Sequence, residues 1–425
     1  MKSIAMKKPL KVLVVSQYFW PENMRINNMV EGFIAKGHEV TVLTGLPNYP
    51  EGKVYSAYRE APENFVDYCG AEIVRVPMLP RGNSSVRLVL NYLSFFISAS
   101  IIGAFKLRQR KFDSIFVYAV SPIMAAIPAL VIGRLKKTPV FVWVLDLWPE
   151  TLRAVGVIQN KWLLAAVGKM VSWIYNRTDY LLLQSKSFSD NVKKYCTKAI
   201  AADRMIYFPS WAEDDFSDAS QAASCDILVP DDNVFTIIFA GNVGDSQDFP
   251  CIINAIEAVK SELAIRWVIV GSGRASAWLH EQVAARGLTN EVLLLGRHPL
   301  EKMPPLFAMA DALLVSLKTN EVFEKTIPGK VQAYLASGKP IIAMIDGEAA
   351  RVITESGAGL ASKSGDAQAL AEIVRLMVSK TLEQRKAMGI LGKQFYLQNF
   401  SKDMLFDRLE TLFQNASLRR KENNE

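Results

Sequence analysis

Short apolar runs recur along the chain and are separated by longer segments in which polar and apolar residues have helical spacing. The runs fall at 11–15, 38–44, 71–77, 114–118, 140–145 and 180–184, and again at 235–240, 267–270, 292–295, 311–317 and 341–345. Continuous apolar runs of this length are typical of strands that are buried on both faces of a parallel sheet. The pattern therefore predicts an α/β protein with two wound parallel sheets.

The composition changes after Trp211, and residues 214–232 are rich in Asp, Ser and Ala, as in a linker. A chain of 425 residues suits two domains of about 200 residues each. We therefore expect a first domain at 1–212 and a second at 213–400. Residues 401–425 are predicted to form a terminal helix and a solvated tail.

One apolar segment is longer than a strand. No charged residue occurs from Leu88 to Phe105, and this length is near the lower limit for a membrane span. Asn91, Ser94 and Ser98 would form a polar stripe on a helix. Three interpretations remain open: a buried helix of the domain, a monotopic helix lying in the membrane surface, and a true span.

The charge is distributed unevenly. Residues 1–210 contain 27 Lys and Arg against 14 Asp and Glu, whereas the remainder contains 22 against 28. Such a split indicates that the first half meets a polyanion, and the apolar segment favours an anionic membrane over nucleic acid. The scattered cysteines and only three histidines predict no metal site. The N-terminus lacks an apolar region long enough for a signal peptide.

The stretch at 321–348 predicts an anion site. Ile327, Pro328 and Gly329 form a tight turn, and Lys330 stands in the first turn of the helix that follows. Helix N-termini and lysines both favour phosphate groups. Glu324 is a candidate for holding a sugar hydroxyl or positioning Lys330. The alternative is an ordinary helix–strand unit of a wound sheet.

Other loops after predicted strands carry glycine, amide or charged side chains. In the second half these residues are Gly241, Asn242, Gly244, Gln247, Gly271, Gly273, Arg274 and Arg297. In the first half, Glu22, Asn23 and Arg25 follow the first strand, and Asp146 ends the strand at 140–145. Asp146 is either a catalytic carboxylate or a cap of the next helix.

The Pro-Gly-Lys at 328–330, the Tyr-x-Ala-x-Gly-Lys-Pro at 334–340 and the order of these loops resemble family four of the retaining GT-B glycosyltransferases. The sequence is most similar to bacterial O-antigen and colanic-acid enzymes such as N-acetyl-L-fucosamine transferases. The resemblance implies the GT-B fold, with two Rossmann-like domains facing a cleft. It also implies that the second domain holds the nucleotide diphosphate and the first holds the acceptor.

The chain departs from the family at several of these positions. Asn242 and Gln247 stand where the family often has Arg and Lys, and neither position that usually bears a glutamate near the turn is acidic. The resemblance then implies that Lys330 and the N–H groups of Gly244 and Gly329 carry more of the diphosphate charge. Gln332 is a candidate for the ribose contact.

The implied reaction moves a sugar from a UDP-sugar to an undecaprenyl-diphosphate-linked saccharide, without a metal cofactor, on the inner face of the plasma membrane. An N-acetylated or deoxyamino sugar is expected, in O-antigen or capsule biosynthesis. Asp146 and Glu324 are the expected catalytic residues. Two alternatives are a UDP-sugar 2-epimerase of the same fold and a non-catalytic membrane partner.

Overall fold

The computed structural model describes residues 8–82, 84–154, 156–197, 202–213, 216, 227–229, 231 and 233–422. The chain divides into two compact units. The first comprises Met1–Gln184, Phe188–Phe208 and Phe406–Glu425, and the second comprises Ser185–Ser187 and Pro209–Leu405. Most of the predicted linker at 214–232 lies outside the described residues, as does Cys225.

The first unit is built on a sheet that contains eight strands within the described ranges. They are β1 (Lys11–Val15), β2 (Glu39–Thr44), β3 (Asp67–Tyr68), β4 (Ala71–Arg75), β5 (Ser114–Ala119), β6 (Val140–Val144), β7 (Tyr180–Leu183) and β8 (Met205–Tyr207). Their order is β3-β4-β2-β1-β5-β6-β7-β8, and only the β3–β4 pair among these is antiparallel. The predicted wound sheet is confirmed, whereas the very short β3 and β8 were not predicted.

Helices connect the strands of this sheet. They are α1 (Arg25–Ala35), α2 (Ser56–Glu60), α3 (Ser85–Ser98), α4 (Ala104–Lys106), α5 (Ala126–Lys136), α6 (Glu150–Ala154), α7 (Lys161–Arg177) and α8 (Phe188–Lys194). A π-helical turn at Ala99–Gly103 joins α3 to α4. The core of the unit lies around the central strands, where all five residues of β6 are buried.

The second unit has a parallel sheet whose described strands run in the order β11-β10-β9-β12-β13-β14. These strands are β9 (Phe235–Ala240), β10 (Ile265–Val270), β11 (Val292–Gly296), β12 (Ala312–Ser316), β13 (Ile341–Met344) and β14 (Gly359–Ser362). The helices are α9 (Phe249–Val259), α10 (Ser276–Ala285), α11 (Met303–Ala308), α12 (Gly329–Ser337), α13 (Gly347–Glu355), α14 (Ala367–Val378) and α15 (Leu382–Asn399). β14 was missed because Gly359 and Ser362 dilute its apolar pattern.

The last helix, α16 (Lys402–Glu422), contributes to the core of the first unit from Phe406 onward. The ring of Phe413 lies 4.8 Å from that of Phe141 and 5.7 Å from that of Phe33, measured between centroids. Phe406 packs over Gly32, where an added Cβ would lie 2.2 Å from its ring. The terminal helix predicted within 401–425 is present and continues to Glu422, and Arg419 near its end is exposed.

Each sheet has a point where the direction of winding reverses, and ligands of wound sheets bind beyond the carboxyl ends of the strands there. In the first sheet this point lies between β1 and β5. In the second it lies between β9 and β12.

Candidate functional site

The loop after β9 and the start of α12 meet at the reversal point of the second sheet. Gly241 follows β9 directly, and Lys330 is the second residue of α12. A Cβ added at Gly241 would lie 3.2 Å from the Lys330 Nζ, so the ammonium group reaches the glycine loop. The turn and lysine predicted from the sequence are thus brought beside the predicted glycine.

The Lys330 ammonium is buried and lacks a hydrogen-bond acceptor among the described residues. Its Nζ lies 3.9 Å from the centroid of the Phe239 ring, a cation–π contact that compensates for only part of the lost hydration. Burial lowers the pKa of Lys330 to about 7. Because buried charges in proteins are normally paired, this arrangement suits an anionic group that arrives with a ligand.

Tyr334 ties the two sides of this site together. Its hydroxyl accepts the Ala240 N–H at 2.9 Å and donates to the Ala240 carbonyl at 3.4 Å. The side chain is buried, with its ring 5.3 Å from that of Phe307. Sequence analysis named this tyrosine only within a motif, although a hydroxyl on a buried helix face was a signal that it needs a partner.

Glycines shape the neighbouring loop after β10. A Cβ at Gly271, whose φ is +141°, would lie 1.8 Å from the Gly241 carbonyl oxygen. A Cβ at Gly273 would lie 2.2 Å from the carbonyl oxygen of Val243, so both positions exclude any side chain. These glycines allow the two loops to pack backbone against backbone, while the adjacent Arg274 is exposed.

Gln247 does not reach toward a ligand. Its side chain is buried and its Oε1 accepts the Gly244 N–H at 3.1 Å and the Asn242 amide at 3.4 Å. The expected donor contacts of Gln247 and of the Gly244 N–H gain no support from this geometry, because the two groups satisfy each other within the loop. Asn242 itself is exposed beside them.

Gln332 is fully buried in α12. In the amide orientation that satisfies its hydrogen bonds, the nitrogen donates to the carbonyl oxygens of Pro328 at 2.7 Å and Gly329 at 3.3 Å. These contacts turn the side chain onto its own helix start and do not support the expected ribose contact. Gly329, by contrast, is exposed at the first position of α12, where N–H groups have no acceptor within the helix.

The remaining predicted donor residues are spread around this region. Ile327 is fully buried and contributes packing, and Pro328 is half-buried at the N-cap of α12. Glu324 is half-buried in a 3₁₀ turn. Its carbonyl oxygen packs against Gly347, where an added Cβ would lie 1.9 Å from that oxygen. Arg297 follows β11 and is exposed.

In the first unit, Glu22 joins two loops. Its Oε2 accepts the Phe19 N–H at 2.9 Å, and its Oε1 accepts the N–H groups of Asn48 and Tyr49, both at 2.8 Å. Burial raises the pKa of Glu22 to about 7, although these N–H donors act in the opposite direction. The expected acceptor contact gains no support from this geometry, because the carboxylate is buried and accepts backbone N–H groups. Asn23 is exposed, and the half-buried Arg25 begins α1.

A cavity of about 210 Å³ lies beside the reversal point of the first sheet. Its wall is formed mainly by tyrosines and by residues that follow β1 and β5, namely Ser16, Gln17, Tyr18, Met24, Tyr49, Arg81, Tyr92, Tyr118, Val120, Ser121, Pro122 and Ala125. Arg81 is the cation of this wall and lies 5.4 Å from the centroid of the Tyr49 ring. Aromatic faces combined with hydroxyl groups suit a ligand that has both apolar and polar surfaces.

Asn91 of α3 holds part of this cavity wall in place. Its Oδ1 accepts from the Gln17 amide at 2.7 Å and from the Tyr18 hydroxyl at 2.8 Å. Its Nδ2 donates to the Leu79 carbonyl oxygen. The polar stripe predicted on this helix therefore faces the protein, and Asn91 is a positioning residue that sequence analysis did not assign to a site.

Asp146 follows β6 and is half-buried. Burial raises its pKa to about 7, and in the described part of the chain its carboxylate accepts no hydrogen bond. The Thr151 N–H of α6 donates instead to the Leu147 carbonyl at 2.7 Å, so the contacts do not favour the helix-cap interpretation. Burial also raises the pKa of Tyr92, and the Asp146 charge adds to this effect, which places the carboxylate near the tyrosine cavity.

By length and composition, the helical segment Val86–Lys106 could cross a membrane. Within its most apolar stretch of 18 residues, 22% is buried. Asn91, Phe95, Ala99 and Gly103 form its buried stripe. Large apolar side chains face outward, with exposures of 70% for Val86, 67% for Ile101 and 63% for Phe105. The interpretation as a buried domain helix is therefore wrong for this outer face.

Within the described residues, no group of three or more His, Cys, Asp or Glu side chains is placed to hold a metal ion.

Sequence comparisons match both halves of the chain to glycosyltransferase families. Residues 23–211 match the family described as "Glycosyl transferase 4-like domain", and residues 234–380 match "Glycosyl transferases group 1". The chain is a GT-B glycosyltransferase. A relative of this enzyme is the Escherichia coli K12 protein named "Putative colanic acid biosynthesis glycosyl transferase WcaI". The two are 28% identical over 346 residues, which covers 77% of this chain and 82% of WcaI.

Solved structures show the same two-domain fold. A glycosyltransferase from Rickettsia africae matches the enzyme with a TM-score of 0.68 at 14% identity, covering 96% of this chain and 99% of its own. Anabaena Alr3699/HepE, solved in complex with UDP and glucose, matches with a TM-score of 0.63 at 14% identity, covering 96% of this chain and all of its own. The predicted fold class of two parallel-sheet α/β domains is thus confirmed.

Proposed function

We propose that this glycosyltransferase moves a sugar from a UDP-sugar to a lipid-linked saccharide, an undecaprenyl-diphosphate-linked chain, in the biosynthesis of a bacterial surface polysaccharide. The transferred sugar is N-acetylated or a deoxyamino sugar, and its anomeric configuration is retained. The enzyme works on the inner face of the plasma membrane. The observation that carries this proposal is the buried Lys330 ammonium at the reversal point of the second sheet, which has no hydrogen-bond acceptor among the described residues.

The donor assignment is supported by the lack of an anionic partner for Lys330 among the described residues. A nucleotide diphosphate supplies anionic oxygens to Lys330 and to the free N–H groups at the start of α12. The relative HepE was solved with UDP and glucose, and UDP is the nucleotide that we propose here. Stabilising the departing diphosphate is then the main catalytic contribution of this unit.

The acceptor assignment is supported by the tyrosine cavity and by Asp146 in the first unit. A carboxylate with a pKa of about 7 is suited to accept a proton from an attacking hydroxyl near neutral pH. We assign Asp146 to orient that hydroxyl. The name of the relative WcaI, which refers to colanic acid biosynthesis, supports a saccharide of a surface polysaccharide as the acceptor.

The membrane assignment is supported by the outward apolar face of Val86–Lys106 and by the positive charge of the first 210 residues. An amphipathic segment whose apolar side lies outward gains free energy by burying that side among acyl chains. Basic residues nearby add about 1 kcal/mol each at an anionic surface.

A UDP-release assay tests the proposal. The purified enzyme is incubated with a panel of UDP-sugars, with and without lipid-linked saccharides extracted from bacterial membranes, and released UDP and labelled lipid are both measured. We expect UDP release and lipid labelling that require the extract. Sugar isomerisation without lipid would instead identify a 2-epimerase, and the absence of UDP binding by calorimetry would contradict the donor assignment.

A further inference from the structure

The first unit has a second cavity, of about 530 Å³, between β4 and the segment that follows α2. Tyr58, Phe65 and the stem of Arg75 line it together with Lys106 and Arg110 at the end of the apolar helical segment. This cavity is separate from the tyrosine cavity, because the two have no lining residue in common. The function proposed above does not use it.

Arg75 is half-buried, and its guanidinium has no anionic partner among the described residues. Its Nη groups donate to the carbonyl oxygens of Gly45 and Trp20, and its plane lies 5.3 Å from the centroid of the Tyr58 ring. Its Nε is buried and has no hydrogen-bond partner within the described part of the chain. Burial lowers the pKa of Arg75, against the influence of Tyr58 and Glu22. A guanidinium in such surroundings is normally paired with an anion.

The other charges of the cavity leave a positive excess. Arg110 and Glu72 form a two-bond ion pair and neutralise each other. The Lys106 Nζ donates a hydrogen bond to the Arg75 carbonyl oxygen at 2.9 Å. Because this acceptor is neutral, the contact leaves the charge of Lys106 uncompensated. Glu63, which also lines the cavity, is exposed. Arg75 and Lys106 therefore present two cations to an anion of the size of a phosphate.

The cavity adjoins a surface suited to lipid. Lys106 lies next to Phe105 and is five residues after Ile101, and both apolar side chains are exposed on the same helical segment. Phe65 and the exposed Val66 form an apolar edge on the other side. A molecule that carries a phosphate and acyl chains would satisfy both the cations and the apolar edge, whereas free phosphate would satisfy only the cations.

We propose that this cavity binds the phosphate headgroup of an anionic phospholipid, with Arg75 and Lys106 as its ligands and the acyl chains along the outer face of Val86–Lys106. The site would make membrane binding selective for anionic phospholipids. This inference rests on the membrane location proposed above and goes beyond it by naming a specific headgroup site.

The test compares Lys106→Gln with Lys111→Gln in the full-length enzyme. Both variants remove one exposed positive charge from the same region, but Lys111 does not line the cavity. Binding is measured by co-sedimentation with vesicles of phosphatidylcholine alone and of phosphatidylcholine with phosphatidylglycerol. We expect Lys106→Gln to weaken binding to the phosphatidylglycerol vesicles roughly fivefold and Lys111→Gln to weaken it much less. Arg75→Gln, if folded, should show the larger loss.

Each alternative result has a definite meaning. An equal loss in the two lysine variants would show a general charge effect and overturn the headgroup site while leaving the membrane location intact. Failure of the wild-type enzyme to bind either vesicle would overturn the membrane location itself. If inorganic phosphate raises the melting temperature through Lys106 but phosphatidylglycerol has no advantage over phosphatidylcholine, the site is one for free phosphate and the lipid assignment is wrong. UDP affinity, measured in parallel, should be unchanged in both variants.

Discussion

The Lys330 ammonium rests 3.9 Å above the Phe239 ring, and no described residue accepts a hydrogen bond from it. An aromatic face provides a weak partner for a buried cation, so the site is stable without its ligand but gains much when an anion arrives. The hydroxyl of Tyr334 fixes Ala240 at the end of the strand that contains Phe239. The cation and its ring are therefore held in place before any ligand binds.

Replacing Lys330 by Met should weaken UDP binding about tenfold to a hundredfold, since a charge-assisted hydrogen bond contributes about 1.5–3 kcal/mol. Calorimetry with UDP measures the change. Lys325→Met is the matched control, because Lys325 pairs with Glu321 at 3.5 Å. Lys339 is a poor control, as its Nζ holds the carbonyl oxygens of Ala308 and Ala310. Equal UDP affinity in wild type and Lys330→Met would remove the assignment.

The affinity for UDP should also fall as the pH rises above about 7, the pKa of Lys330 in the free enzyme. Above that pH the amine must take up a proton to bind the diphosphate, which costs up to about tenfold in affinity per pH unit. Calorimetry in buffers of different ionisation enthalpy should show this proton uptake at pH 8.

Without ligand the pH effect of Lys330 on stability has the opposite sign. The unfolded lysine, with its ordinary pKa of 10.5, binds more protons than the folded one whose pKa is about 7. The free energy of unfolding should therefore rise between these two values, apart from the contributions of other groups. Lys330→Met should abolish both the proton uptake and this contribution, and a variant that kept them would assign the effects to another group.

Asp146→Asn should remain folded, bind UDP normally and transfer sugar at least about a hundredfold more slowly, because a general base typically contributes about 10²–10⁴ in rate. The wild-type rate should rise with pH through about 7, where the carboxyl loses its proton. The variant should lack this limb of the pH–rate profile. Transfer at a near-normal rate would show that Asp146 has a structural role only.

Gln332→Leu should leave UDP affinity within about twofold of the wild type. The side chain faces the carbonyl oxygens at the start of its own helix and is fully buried. Losing a buried hydrogen bond should lower the free energy of unfolding by about 1–3 kcal/mol. Urea unfolding and calorimetry separate the two effects. A large loss of UDP affinity at unchanged stability would restore Gln332 as a ribose ligand.

Tyr334→Phe should lower the free energy of unfolding by about 1–3 kcal/mol, since the Ala240 N–H would lose its acceptor in a buried setting. UDP binding should weaken as well, because the loop after β9 would no longer be fixed. Ser337→Ala, which removes a hydroxyl bonded only to the Tyr334 carbonyl in the described structure, serves as the control. An unchanged urea midpoint in Tyr334→Phe would contradict the tying role.

The strands and the turn around Lys330 were predictable because both leave a local signature. Buried parallel strands are continuous apolar runs, and a Pro-Gly turn before a helix marks its start wherever it occurs. The contacts of Gln332 and Glu22 were not predictable because the sequence does not show which way a polar side chain points. The amide of Gln332 turns onto its own helix, and Glu22 is bound by backbone N–H groups from a loop 26 residues away.

The orientation of α3 was not predictable from the sequence, for a related reason. A stripe of Asn and Ser on an otherwise apolar helix suggests a side facing water, but Asn91 is fully buried and binds Gln17 and Tyr18. Only tertiary contacts show that this helix has its polar side inward. The bond between residues 73 positions apart is a long-range pairing that no periodicity in the sequence records.

Phe406–Glu425 belongs to the first unit, and this has a consequence for how the enzyme folds during its synthesis. Strands β1 to β8 emerge first, but Phe33, Phe116 and Phe141 lack Phe413 until nearly the whole chain has been made. At about 5–20 residues per second, the roughly 200 residues that follow β8 take about 10–40 s to be synthesised. During this time the first unit is incomplete, and the aromatic side chains that pack against Phe413 are exposed while the second unit folds. A nascent chain stalled before residue 406 should be a preferred client of chaperones.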